Sequence, residues 1–210
     1  MSRLTEQYSS LQYLYPSRPE QAVLPGLLTF YESRKWLGQI KKNGVSGIFI
    51  IAPDKTITCM NRHQSIHKTW VLPESIRAFF LGLPSRWYVF NGEILHMKTT
   101  NIKDTVYLYD CLVCDNEYLI GTHYLDRWNK LSELWPIRGS THQYSIVSDN
   151  ILIANNFNMG FESIYNSLTN PEDEGLVLRD RSAPLVRCSN ASSNTSWLVK
   201  IRKIHKNYSF

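Results

Sequence analysis

The chain has no run of about 18 consecutive apolar residues, and its first ten residues lack the apolar segment of a secretion signal. Neither a membrane-spanning helix nor a secretory leader is expected; a soluble, cytoplasmic protein with no membrane partner is. On that footing the triplets beginning at Asn190, Asn194 and Asn207, which match the glycosylation pattern, carry no meaning. Cysteine is scarce, with four in 210 residues. Cys111 and Cys114 stand in C-x-x-C spacing, but Cys59 and Cys188 are isolated, so the further ligands that a zinc site needs are missing. The pair also falls in a strand-like run and its exit, where positions three apart point to opposite faces. His63 and His67 lie four apart without a third ligand or an H-E-x-x-H pattern, so they make no case for a metal pair. Repeats, heptads and an internal linker are absent as well.

What is present is an ordinary globular composition, with 12% aromatic and 20% charged residues in a length that suits one domain, or one domain with an arm. The net charge of +5 points to an anionic partner, because Lys and Arg that neutralise phosphates release counterions from nucleic acid. Residues 1–25, with Tyr13-Leu14-Tyr15-Pro16 and the breakers Pro19 and Pro25, show no period and read as an N-terminal arm packed on the surface. Residues 26–210 read as the domain proper. Val45–Ala52 and Ile57–Met60, separated by Pro53-Asp54-Lys55, predict a strand pair that directly follows Lys41. A short helix is predicted at Ile76–Leu81, opened by Pro73-Glu74-Ser75, before Trp87–Phe90 and Val106–Val113 return to β. Tyr124–Leu134 reads as an amphipathic helix with Tyr124, Trp128 and Leu131 on one side, and Phe161, Ile164, Tyr165 and Leu168 mark the face of another. Gly175–Arg179 and Trp197–Lys203 predict two closing strands around a loop rich in Ser and Asn. The sum is an α+β fold of largely antiparallel sheets with flanking helices.

Across this pattern five short motifs follow one another: Lys41-Lys42-Asn43-Gly44, Asn91-Gly92-Glu93, Tyr109-Asp110, Glu174-Gly175-Leu176-Val177-Leu178 and Trp197-Leu198-Val199-Lys200-Ile201-Arg202. Each is common by chance; their order is not. A lysine amine is protonated at neutral pH, so a nucleophilic Lys41 requires surroundings that favour the neutral form by about 3–4 kcal/mol. Lys42, Lys200 and Arg202 are the candidate cations for that task. Phosphoryl transfer is catalysed by positioning and charge stabilisation, so carboxylates such as Glu93 and Glu174 suit the holding of Mg²⁺ against a triphosphate. Tyr109 offers an aromatic face to a base, and the Arg62 guanidinium suits a phosphate.

In kind and order these motifs resemble those of the covalent nucleotidyltransferases, the superfamily of ATP-dependent DNA ligases, RNA ligases and mRNA capping enzymes. The resemblance runs from about residue 36 to 203 and implies a nucleotidyltransferase domain of the ATP-grasp-like ligase adenylation type. It makes Lys41 the residue that is adenylated, with Glu93 on the ribose and metal side and Glu174 at the metal site of the reacting phosphate. Gln39 takes the place that reads the purine edge, with Ile40 beside it, Tyr109 stacks on adenine, and Arg62 contacts nucleotide or nick phosphate. Lys200 touches the α-phosphate and favours departure of pyrophosphate, with either Arg202 or Lys203 as the second closing cation. Gly121, Tyr124 and Arg127 take structural roles. Ser46 stands on the ribose side where DNA ligases commonly carry Arg, and Asn91 replaces the usual Asp. Only seven residues follow Lys203, so no OB-fold is expected; a separate protein supplying one, or phosphate contacts from Lys203 and Lys206, would stand in for it. The implied activity is an ATP-dependent polynucleotide ligase, a monomer that uses ATP and Mg²⁺ to seal 5′-phosphate and 3′-hydroxyl ends, with nicks in DNA first and RNA ends as the alternative. Capping-type guanylyl transfer and a degenerate nucleotide-binding or nucleic-acid-binding module are further alternatives.

Overall fold

The computed structural model describes residues 13–20, 22–187 and 194–203, so Lys206 lies outside the described residues. Two sheets face each other. The larger runs in the order β4 (Ile57–Met60), β3 (Val45–Ile51), β5 (Tyr88–Leu95), β6 (Thr105–Cys114), β10 (Ile151–Ala154), β9 (Tyr144–Ser148) and β8 (Gly139–Ser140), with β7 (Glu117–Tyr118) beside β6. The smaller has three strands, β13 (Leu198–Arg202), β11 (Asp173–Asp180) and β2 (Trp36–Lys42), in that order and all antiparallel. A parallel pair of two-residue strands, β1 (Arg18–Pro19) and β12 (Asn194–Thr195), lies apart from both. Pairing within the larger sheet is antiparallel except between β10 and β6. The fold is α+β, as the pattern of runs predicts.

Alternation decides what each face does. On β6, Val106 and Leu108 turn to a core shared with Phe80 of the helix Glu74–Leu81 and Leu131 of the helix Tyr124–Glu133. Tyr107 and Tyr109 turn the other way, and the Tyr107 hydroxyl donates to the Ile40 carbonyl of β2 at 3.2 Å, tying the sheets together. On the smaller sheet, Ile40, Leu176, Leu178, Val199 and Ile201 face a second core with Phe161 of the helix Phe161–Ser167 and Leu28 of the 3₁₀ helix Pro25–Tyr31. Each sheet therefore backs onto its own apolar core and offers its other face to the gap between them. Arg127 is fully buried in the larger half, where it grips both Asp110 carboxylate oxygens at 2.9 Å and the Thr122 carbonyl at 2.8 Å.

Among the strands longer than two residues, β2 and the hairpin β9–β10 have no counterpart in the sequence reading. Lys41, expected directly ahead of the first strand pair, sits inside β2, and the turn proper is Asn43-Gly44. The C-x-x-C pair also departs from expectation. Beside Leu112 the ladder with β5 slips, Val89 pairing with Val113 but Phe90 with Cys111, and this bulge keeps the Cys111 and Cys114 thiols close enough to influence each other while Cys111 Sγ donates to the Val113 carbonyl at 3.3 Å. Both are free and buried.

Candidate active site

The three strands of the smaller sheet lay their side chains out as a grid. Register puts Lys41, Gly175 and Arg202 in one row, and Gln39, Val177 and Lys200 in the next. Gly175 has no side chain to separate its neighbours. The Glu174 carboxylate accepts from Lys41 Nζ through Oε2 and forms an ion pair with the Arg202 guanidinium through Oε1. Gly175 has φ +146°, and a Cβ there would meet the Ile201 carbonyl oxygen at 2.0 Å, so the Glu-Gly step depends on the missing side chain.

Opposite the grid stands the larger sheet. Ser46 pairs with Glu93 across β3 and β5, and Asn91 lies behind them, accepting from the Tyr109 hydroxyl at 3.1 Å. The turn after β2 reaches this wall through Gly44, where a Cβ would lie 2.9 Å from the Ile94 carbonyl oxygen and 3.0 Å from the Glu93 Cβ. The cleft between the walls holds about 440 Å³, a size suited to a small molecule. It is lined by every residue that the sequence singles out for catalysis or nucleotide binding: Lys41, Glu93, Glu174, Lys200, Gln39, Ile40, Ser46, Arg62, Tyr109 and Arg202. Lys203 is not among them. Its Nζ donates to the Asn170 carbonyl at 3.4 Å, away from the cleft, so of the two candidate closing cations it is Arg202 that enters. Lys42 is committed elsewhere, buried against Asp173 at 2.5 Å and the Gln143 side-chain oxygen at 2.9 Å.

Burial and charge shape the titration of the site. Burial pushes the Glu93 carboxyl up to about 7, with Glu174 adding to the rise and Lys41 and Lys98 opposing it. Burial also lowers the Lys200 ammonium, helped by the charges of Arg202, Lys41 and Arg18. The Tyr109 phenol is raised by burial and stays neutral. Gln39 Nε2, buried in the cleft, has no hydrogen-bond partner among the described residues, while its Oε1 accepts from Arg179 Nε at 3.3 Å. An amide donor so placed fits an acceptor on a ligand.

Three cations of the cleft escaped the sequence reading: Arg179, Arg18 and Lys98. Arg179 packs its guanidinium over the Tyr109 ring at 5.0 Å and the Tyr124 ring at 4.9 Å. A signal for it existed, since it lies two residues beyond Val177 on the same face of β11. Arg18 and Lys98 come from irregular segments with no period to read.

No protein-family model matches the sequence, and no curated protein does. Solved structures do resemble it. A mycobacterial DNA ligase D in complex with ATP and MES superimposes with a TM-score of 0.59 at 15% identity, over 90% of this chain and 60% of that one. The ligase domain of M. tuberculosis LigD gives 0.60 at 15%, over 90% and 59%. A Lig E DNA ligase, described as binding DNA with a minimal scaffold, gives 0.54 at 15%, over 90% and 69%. The chain thus spans about 60% of the length of the two ligase D chains. With both sheets, their register and the cleft in view, the chain has the fold of a DNA ligase adenylation domain.

Proposed function

We propose that this chain is the nucleotidyl-transfer domain of an ATP-dependent polynucleotide ligase that seals 5′-phosphate to 3′-hydroxyl ends, with nicked DNA as the leading substrate. The observation that carries the reading is the convergence of ten residues, chosen from motifs scattered over more than 160 positions, on one cleft in which Lys41 bonds to Glu174. In the first step Lys41 Nζ attacks the α-phosphorus of ATP. A P–N bond forms, the bond from that phosphorus to the bridging oxygen breaks, and pyrophosphate leaves. The proton that Nζ must lose has an acceptor in place, the Glu174 Oε2 to which it already donates. Lys200 and Arg202 stabilise the charge that gathers on the phosphate oxygens, and Gln39 and Tyr109 hold the base. Glu93 and Glu174 together suit magnesium, which takes one or two protein carboxylates and completes its shell with phosphate oxygens and water. When bound, that ion neutralises phosphate charge. AMP then passes from Lys41 to a 5′-phosphate, and a 3′-hydroxyl displaces it.

RNA ends are the second reading, favoured by Ser46 in the place where DNA ligases commonly carry Arg. Incubation with Mg²⁺ and α-labelled ATP, GTP or NAD⁺, followed by denaturing electrophoresis, tests both the chemistry and the nucleotide. An acid-labile adenylate from ATP alone is the expected result. Label from GTP would turn the reading to capping, and no label from any nucleotide would leave a binding module.

A further inference from the structure

The N-terminal arm crosses the mouth of the cleft and is pinned on both sides of it. On the larger-sheet side Tyr13 and Leu14 are buried in that sheet's core, and the Tyr13 hydroxyl donates to the Arg62 carbonyl at 3.1 Å. On the smaller-sheet side Ala22 pairs with Lys200, and Val23 N–H donates to the Lys200 carbonyl at 2.9 Å. Between these pins Pro16, Ser17, Arg18 and Pro19 line the cleft. Arg18 is thereby held within electrostatic reach of Arg62, from the segment after β4, and of Lys200, from β13; its charge disfavours the charged form of each. Among the described residues none of these three forms an ion pair with a carboxylate, and the Arg62 Nε donates only to the His63 ring, at 3.1 Å. Arg18 thus meets one cation from each side of the cleft. Although Glu174 lies within electrostatic reach of Lys200, no carboxylate among the described residues pairs with any of the three, so the gathered positive charge forms a site for an anion.

We propose that Arg18, held across the mouth by the arm, completes with Arg62 and Lys200 a phosphate-binding site next to the Lys41–Glu174–Arg202 cluster. Its ligand is a phosphate group that lies beyond the reacting phosphorus. Two sources share that chemistry: the pyrophosphate portion of the nucleotide and the 5′-phosphate of a polynucleotide end. The proposal rests on the ligase reading for its choice of ligands, but not for its test.

The test compares wild type with Arg18→Gln and Arg18→Lys in the full chain. Calorimetric titration with inorganic pyrophosphate reads the site without any turnover, and titration with a 5′-phosphorylated nicked duplex against its 5′-hydroxyl counterpart reads the second source. Arg18→Gln should weaken one of these by about tenfold or more, as expected for loss of a charge-assisted contact, with Arg18→Lys recovering part of the loss. Loss confined to pyrophosphate assigns the nucleotide, and loss confined to the 5′-phosphate assigns the strand end. Unchanged binding of both ligands by Arg18→Gln, with an unchanged thermal transition, overturns the proposal. Pyrophosphate binding that needs Arg18 in a protein that no nucleotide labels would instead keep the site and discard the ligase reading.

Discussion

Two ionic clusters lie on opposite faces of the larger sheet's neighbourhood, and they are built differently. In the closed one, Arg127 meets Asp110 with paired hydrogen bonds and a third to a carbonyl, and the side chains are 0% and 5% exposed. In the open one, a single carboxylate, Glu174, is shared by Lys41 and Arg202, whose side chains are 17% and 29% exposed. The closed pair has every polar group answered within the protein, so it can only hold. The open cluster shares one anion between two cations beside further unmatched positive charge, so a phosphate entering the cleft finds donors ready for it. Burial with complete pairing marks the scaffold, and incomplete pairing at the cleft marks the chemistry.

The sharpest way to break this contrast is to remove Lys41. Lys41→Ala should reduce adenylate label to background while Lys42→Ala keeps it, since Lys42 is tied to Asp173. Labelled Lys41→Ala protein would place the nucleophile elsewhere. Next in size is Asp110→Asn, which strands a buried guanidinium and should cost about 3–5 kcal/mol of stability in urea unfolding. A loss below about 1 kcal/mol would erase the distinction between the clusters. Glu174→Gln should behave oppositely, lowering sealing by about a hundredfold or more. Its unfolding free energy should move by no more than about 1–2 kcal/mol, because this cluster is partly solvated. Equal effects on stability and sealing would make Glu174 a scaffold residue.

The smallest effect is a dependence on pH. Folding raises the Glu93 carboxyl from 4.5 to about 7, so the native state holds the extra proton between those values. Its contribution to stability is full below about 4.5 and lost as pH rises to 7 and beyond. Glu93→Gln removes that loss. Stability of the variant relative to wild type should therefore climb by about 2 kcal/mol between pH 5 and 8, after allowance for partial solvent access. A difference that stays flat across this range would show that Glu93 ionises freely.

Much of the larger sheet could be read from the chain, because β3 and β6 are rich in Val, Ile and aromatic residues bounded by turn formers. The residues that converge on the cleft were legible too, through motif order. β2 was not: Trp36-Leu37-Gly38-Gln39-Ile40-Lys41-Lys42 carries a glycine and three polar side chains, and its buried Gln39 and Lys42 become tolerable only when Arg179 and Asp173 arrive from β11. Strand β10 is short and gains its place by parallel pairing with β6 across a long sequence separation. Arg127 is a charged residue on the most buried face of its helix, which no hydrophobic period can announce and which only the resemblance marks as structural. Arg18 depends on the route of the arm and leaves no local trace.

The two-residue turn Asn43-Gly44 is the direct passage from β2 in one sheet to β3 in the other, and Asn43 N–H is held by the Glu172 carbonyl at 2.9 Å. If the smaller sheet swung against the larger about this point, it would move as a door does on the post beside its hinge. Lys41 is next to the post. Lys200 is two strands out, about 10 Å away at ordinary strand spacing. A rotation of about 10° about the line of β2 would shift Lys200 by about 2 Å and leave Lys41 nearly where it was. Lys41 would thus stay near the axis of such a swing, and the aperture of the cleft would be set by how far the outer strand and its cations travel.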